Sequence, residues 1–195
     1  MTPVSYPSPP PTSPWRPAPP PAAPNGQPLA DFGNRALAFI IDYAIYYGVY
    51  LVLTLPFLIW WMFVMFEEMN AAAAKTHVDS AAFPFDFSRF WLPFLAYFAA
   101  SILVSLGFTY LYFVEYQLRK GQTIGKRVMG SRIIPVDPNA TLTRAHLVKR
   151  WAVEWVAASF VPFLIWIDGL WQLWDKPLQQ CLHDKAAGTV VVKAG

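Results

Sequence analysis

Arg35 and Asp42 stand seven residues apart in NRALAFIIDYAIYYGVYLVL, residues 34–53, a run that is otherwise almost wholly apolar. Seven steps of 100° return close to the starting angle, so the two share one face of a helix. About 10 Å of axial rise separates them, too far for a direct pair. Each therefore needs a partner from another segment. An ionisable side chain in such a helix faces a bundle interior and marks an ion path, a proton relay or a buried pair. Tyr46, one turn beyond Asp42 in the stripe Tyr43, Tyr46, Tyr47 and Tyr50, is the hydroxyl best placed to bond the carboxylate; core packing is the simpler role for the stripe. Other chemistries fail on spacing. GQTIGKRV, 121–128, lacks both the four residues between glycines and the Ser or Thr after the lysine that a phosphate-binding loop needs. His77, His146 and His183 lie in unrelated segments without metal-ligand spacing. His183 beside Asp184, two residues after Cys181, has no evident oxyanion donor, and neighbours in sequence rarely face one another usefully. Neither an enzyme nor a bound cofactor or metal is expected.

The elements that would hold these residues are set by composition. Of 195 residues, 55% are hydrophobic and 14% charged, where a typical soluble domain carries about 25% charged residues. Too little polar surface remains to cover a globule in water, and the apolar residues come in long runs, which places the chain in the membrane class. From Ala36 to Phe66 the only strongly polar interruption is Asp42, and a crossing needs about 20 apolar residues. A central aspartate costs about 2.5–3.5 kcal/mol on insertion, which each Leu, Ile, Phe or Val offsets by about 0.3–0.6 kcal/mol. Sixteen such residues lie in the run, so the helix inserts. Helix 1 is expected over about 36–62. Helix 2 is expected over about 90–114, with Ser101, Ser105 and Thr109 on one face as a packing seam.

The third apolar region, 151–174, holds Glu154, Pro162 and Asp168. It either spans once or breaks near Pro162 and re-enters. SRIIPVD (131–137) and GTVVVKA (188–194) are β-branched runs with the marks of short strands. If they pair, the C-terminus lies with the basic connection and 151–174 re-enters, which is the reading taken. The expected fold class is thus an all-α polytopic membrane protein. It has two firm transmembrane helices, a third spanning or re-entrant helical region, and a small cytoplasmic two-stranded β element.

Charge sets the orientation. The connection 115–150 contains eight Lys and Arg residues, whereas the loop 66–89 contains only Lys75 and Arg89 beside four acids. By the positive-inside rule the connection and the N-terminus are cytoplasmic. Residues 119–150 suit anionic lipid headgroups; without interleaved aromatics they do not suit nucleic acid. Residues 1–28 hold twelve of the nineteen prolines and read as a separate, disordered, proline-rich cytoplasmic tail, suited to a proline-binding protein partner.

Three motifs in order carry a family resemblance: NRALAFIID (34–42), GQTIGKRVMGSRII (121–134) and LHDKAAGTVVV (182–192). With them the chain resembles the RDD family of membrane proteins over residues 30–193. The resemblance implies that Arg35, Asp42 and Asp184 are the family's charged residues, and that the activity is transport of an unidentified ligand or cation/proton antiport. Combined with the helical geometry, it leads to the expectation that Arg35 meets Asp184, with His183 alongside. Asp42 is expected to meet a cation of the GKR stretch, Lys126 or Arg127. Two functions follow. One is transport, or assistance to transport, of a small ion or solute across the bacterial plasma membrane, with Asp42 as a buried titrating site. So few spans make a thin wall, which favours a homo-oligomer. The other is a non-transporting scaffold that recruits a partner through the tail or the basic platform.

Overall fold

The computed structural model describes residues 20–76 and 87–194; residues 1–19 of the expected tail, and His77, lie outside these described residues. Helix α1, Phe32–Thr76, runs unbroken for 45 residues with Pro56 inside it. At 1.5 Å per residue it is about 68 Å long, more than twice the hydrocarbon thickness of about 30 Å. It outruns the expected 36–62 because the residues beyond Phe66, EEMNAAAAKT, are mostly strong helix formers that continue it once the apolar run ends. At its start, the Asn34 amide donates to Asp31 Oδ1 at 2.9 Å, which satisfies one of the orphan donors of the first turn. Helix α2, Phe87–Tyr110, passes without a break through a π-helical stretch, Leu111–Tyr116, into α3, Gln117–Lys120. In the most apolar windows of these two helices, only 6% and 11% of the residues are buried within the protein. The core helix of a soluble protein would be mostly covered. These faces are dressed for lipid.

Gly121, at φ 76, ends α3 and turns the chain back. Helix α4, Ile124–Val128, and strand β1, Ser131–Pro135, follow. The third apolar region is not one helix. Helix α5, Arg144–Trp151, leads through a second π-helical stretch, Ala152–Ala157, into α6, Ala158–Phe160. The chain then leaves helical geometry around Pro162, with Val161 extended and Phe163 left-handed, before α7, Leu164–Trp171. Proline disfavours helical geometry in the residue before it, and here, unlike at Pro56 within α1, the chain yields. Helix α8, Leu182–Ala187, and strand β2, Thr189–Lys193, close the fold.

Strands β1 and β2 pair antiparallel, from Ser131 opposite Lys193 to Pro135 opposite Thr189. The other edge of β2 is covered by residues 28–30: the Ala30 amide donates to the Val191 carbonyl at 3.0 Å and the Lys193 amide to the Pro28 carbonyl at 2.9 Å. Ala23 and Leu29 bury against Val190 and Val192. Residues 20–28, assigned to the tail by their prolines, are therefore part of this platform, because their few apolar side chains have a sheet face to cover. Leu147, Val114, Ile133 and Val191 form the core that joins α5 and the first π-helical stretch to the sheet. Tyr46, Tyr112, Phe113 and Trp155 form an aromatic core between α1 and both π-helical stretches.

Candidate functional site

Two buried carboxylates organise the site. Asp42 accepts hydrogen bonds from Tyr112 Oη at 2.7 Å, Thr123 Oγ1 at 2.6 Å and the Gly125 amide at 2.7 Å. Lys126 Nζ lies 4.0 Å from its Oδ2. Local sequence explains the convergence. Thr123 is the N-cap of α4, its hydroxyl accepting from the Lys126 amide, so the exposed amides at that helix start face α1. Gly125 permits the approach: a Cβ there would stand 2.2 Å from the Ala38 carbonyl oxygen and 2.8 Å from Asp42 Cγ. Tyr112, on the first π-helical stretch, bonds Asp42 and also accepts from the Ile124 amide at 3.0 Å.

Asp184 is fully buried and ion-paired by Arg35 on one oxygen and Arg150 on the other. The Cys181 amide adds a bond at 3.0 Å. Arg35 also donates to the Gln179 carbonyl at 2.7 Å and Cys181 Sγ at 3.0 Å; Arg150 donates to Thr189 Oγ1 at 2.7 Å. Burial alone would raise the Asp184 carboxyl, but Arg150 and then Arg35 outweigh it and hold the group well below the usual carboxylate range. Gly188, left-handed at φ 63, ends α8 so that Thr189 can open β2 beside Arg150. His183 ties α8 to α7: its Nδ1 lies 2.5 Å from Asp168 Oδ2, and its amide donates to Asp168 Oδ1 at 2.8 Å. Its Nε2 is 3.8 Å from Asp184.

Cys181, His183 and Asp184 offer three ligand atoms within 4.8 Å of one another. Both Asp184 oxygens face guanidiniums, which would repel a cation, and burial pushes the Cys181 thiol well above its ordinary range. A metal ligand must be deprotonated and accessible. This grouping suits an ion-pair network instead.

Of the residues singled out from sequence, Arg35 and Asp184 come together, and Lys126 stands beside Asp42. Arg127 does not: its side chain is exposed. Tyr46 does not bond Asp42 either; its hydroxyl pairs with Ser105 Oγ at 2.9 Å on α2, as an interhelical seam would have it. Sequence reasoning missed Tyr112, Thr123 and Arg150. Only Thr123, a cap-type residue ahead of IGKR, left a local signal.

Asp42 and the two arginines that hold Asp184 line a cavity of about 310 Å³. Its charged walls are Arg35, Asp42, Lys126, Arg150, Glu154 and Asp168, and Phe39, Ile40, Phe113, Trp166 and Leu170 are among its apolar ones. Four of these charges have close partners. Lys126 Nζ and the Glu154 carboxylate make no hydrogen bond among the described residues. Burial pulls the Lys126 ammonium below its ordinary range, with Asp42 and Glu154 pulling the other way.

The family model described as RDD family matches residues 29–188, a span that includes both carboxylates and all the charged walls of the cavity. An uncharacterized protein of Rickettsia prowazekii (strain Madrid E) is 28% identical over 109 residues, and the match covers 56% of each chain. No solved structure matches.

Proposed function

The chain belongs to the RDD family, and from the charged cavity beside Asp42 we propose that it is an integral membrane carrier, not an enzyme, that moves or helps to move a small solute. The cavity is the observation that supports this reading. A clamp whose only task is to fix helices does not need a half-open cavity walled by six charged side chains, two of which make no hydrogen bond among the described residues. Asp42, expected from its position to titrate, has three of its about four acceptor positions filled. That favours a holding role: it latches α4 to α1 and so fixes one wall. The charges left for a solute are Lys126 and Glu154. The excess of cations in 115–150 over 66–89 favours a bacterial plasma membrane orientation with the N-terminus and platform cytoplasmic, the basic face against anionic headgroups. Two long helices make a thin wall, which favours a homo-oligomer.

Gly169 provides the test. It lines the cavity, and a Cβ there would meet nothing within 4 Å. Gly169→Leu should fill the void while helping α7, since glycine costs about 0.8–1.0 kcal/mol in a helix relative to alanine. In proteoliposomes challenged with a panel of inorganic cations, amino acids and organic acids, the wild type should give uptake of one class. The variant should lose that uptake with its melting temperature kept or raised. Unchanged uptake would show that the cavity is not the route.

A scaffold reading draws support from residues 28–30, which are stitched to β2 and would anchor any partner of the proline-rich tail to the platform. Loss of a copurifying protein on deleting residues 1–19 would favour it.

A further inference from the structure

The walls of the cavity carry three cations and three anions, and most are spoken for. Arg35 and Arg150 share Asp184, Asp42 is held by three donors, and Asp168 is held twice by His183. What remains is one ammonium, Lys126, and one carboxylate, Glu154. They sit on different elements, α4 and the second π-helical stretch, and make no ion pair with each other among the described residues. The contact from Lys126 to Asp42, at 4.0 Å, is loose. We infer that the cavity takes a zwitterion with an apolar body, the chemistry of a free amino acid with a hydrocarbon side chain, its carboxylate on Lys126 and its ammonium on Glu154.

This deepens, and rests on, the reading of the cavity as a solute site. A lone cation would satisfy Glu154 but face Lys126; a lone anion would do the reverse. Both side chains are half-buried, and a ligand bearing both signs answers both. The volume, about 310 Å³, stands at the lower end of the range of about 300–1,000 Å³ for small-molecule pockets, which suits an amino acid and is generous for a bare ion. Phe39, Phe113, Trp166 and Leu170 supply apolar surface for a hydrocarbon side chain. Glu154 also sits within a π-helical stretch, Ala152–Ala157, an irregularity that recurs at functional sites.

Binding to the full chain in lipid nanodiscs, followed by calorimetry, tests this with four probes. L-leucine carries both charges, L-leucinamide lacks the carboxylate, 4-methylpentanoate lacks the ammonium, and sodium chloride lacks the organic body. L-leucine should bind, and each single-charge analogue should bind about tenfold more weakly or worse, the loss of one charged hydrogen-bond partner. In Glu154→Gln the gap between L-leucine and 4-methylpentanoate should close; in Lys126→Met the gap between L-leucine and L-leucinamide should close. Each comparison is made within one protein, so a change in stability does not blur it. Equal binding of either analogue and L-leucine to the wild type would overturn the inference, as would no L-leucine binding in the millimolar range. Should L-leucine fail while Gly169→Leu still abolishes uptake of another solute, the zwitterion falls and the solute cavity stands. Should Gly169→Leu leave uptake intact, the cavity reading itself falls.

Discussion

Asp184 and Asp42 are both buried aspartates, yet they keep different company. Asp184 is balanced by two guanidiniums; Asp42 is held mainly by neutral donors, with one lysine at 4.0 Å. Replacing Asp184 by Asn should leave Arg35 and Arg150 facing each other without a counter-charge. Breaking a buried pair in this way costs about 3–5 kcal/mol, to be read as a fall in melting temperature in detergent. Arg35→Lys should not behave as a conservative change, because a lysine lacks the fork that reaches Asp184, the Gln179 carbonyl and Cys181 Sγ together. The pH dependence has a definite sign. The folded carboxyl of Asp184 is held below its unfolded value, which is about 3.9. Its contribution is therefore complete above about pH 4 and fades only as pH falls further, towards the folded value. Melting temperature followed from neutrality down to about pH 4 should show no Asp184-dependent loss: the gap between wild type and Asp184→Asn should hold across that range. The pairing of Arg35 with Asp184 was legible because Arg35 needed a partner from another segment and the family resemblance marked Asp184 as a charged residue of the C-terminal motif. Arg150 was not, since in a run of eight cations nothing local marks the one that turns inward.

At the scale of elements, the contact between α4 and α1 depends on one missing atom. Gly125→Ala would set a Cβ 2.2 Å from the Ala38 carbonyl oxygen, so α4 must retreat and the Gly125 amide must release Asp42. The overpacking costs about 1–3 kcal/mol. Because the bond from the Gly125 amide to the Asp42 carboxylate is lost in both changes, Gly125→Ala and Asp42→Ala together should cost less than the sum of the two in a double-mutant cycle; strict additivity would separate the glycine from the latch. Element types were largely readable here. The β-branched runs at 131–137 and 188–194 gave strands, and Pro162 gave the break, because both signals are local. The identity of the donors to Asp42 was not. Helical-face reasoning chose Tyr46, one turn away, but Tyr46 faces Ser105 on α2, and the bonding hydroxyls come from Thr123 ahead of α4 and from Tyr112 on the π-helical stretch of the facing helix. A π-helical stretch shifts which face a side chain occupies, and no periodicity in the sequence announces it.

For the molecule as a whole, the antiparallel pairing of β1 with β2 makes topology testable without a ligand. Residues joined by a sheet lie on one side of a membrane, so the basic connection and the C-terminal strand must share a compartment, whatever path 151–174 takes through lipid. Asn139 and Lys176 are exposed on the connection and on the segment before α8, and Glu67 is exposed on the far part of α1. Cys181 is a poor reporter, being buried with its thiol pushed up, so a Cys181→Ser background suffices. Cysteines placed at Asn139 and Lys176 should both resist a membrane-impermeant maleimide in intact cells and both react once the membrane is permeabilised. A cysteine at Glu67 should react from outside. Labelling of Lys176→Cys but not Asn139→Cys in intact cells would require the chain to cross between them and would break the β1–β2 pair. With that pair would go the placement of Arg150 and Thr189 beside Asp184, and the platform that closes the cavity.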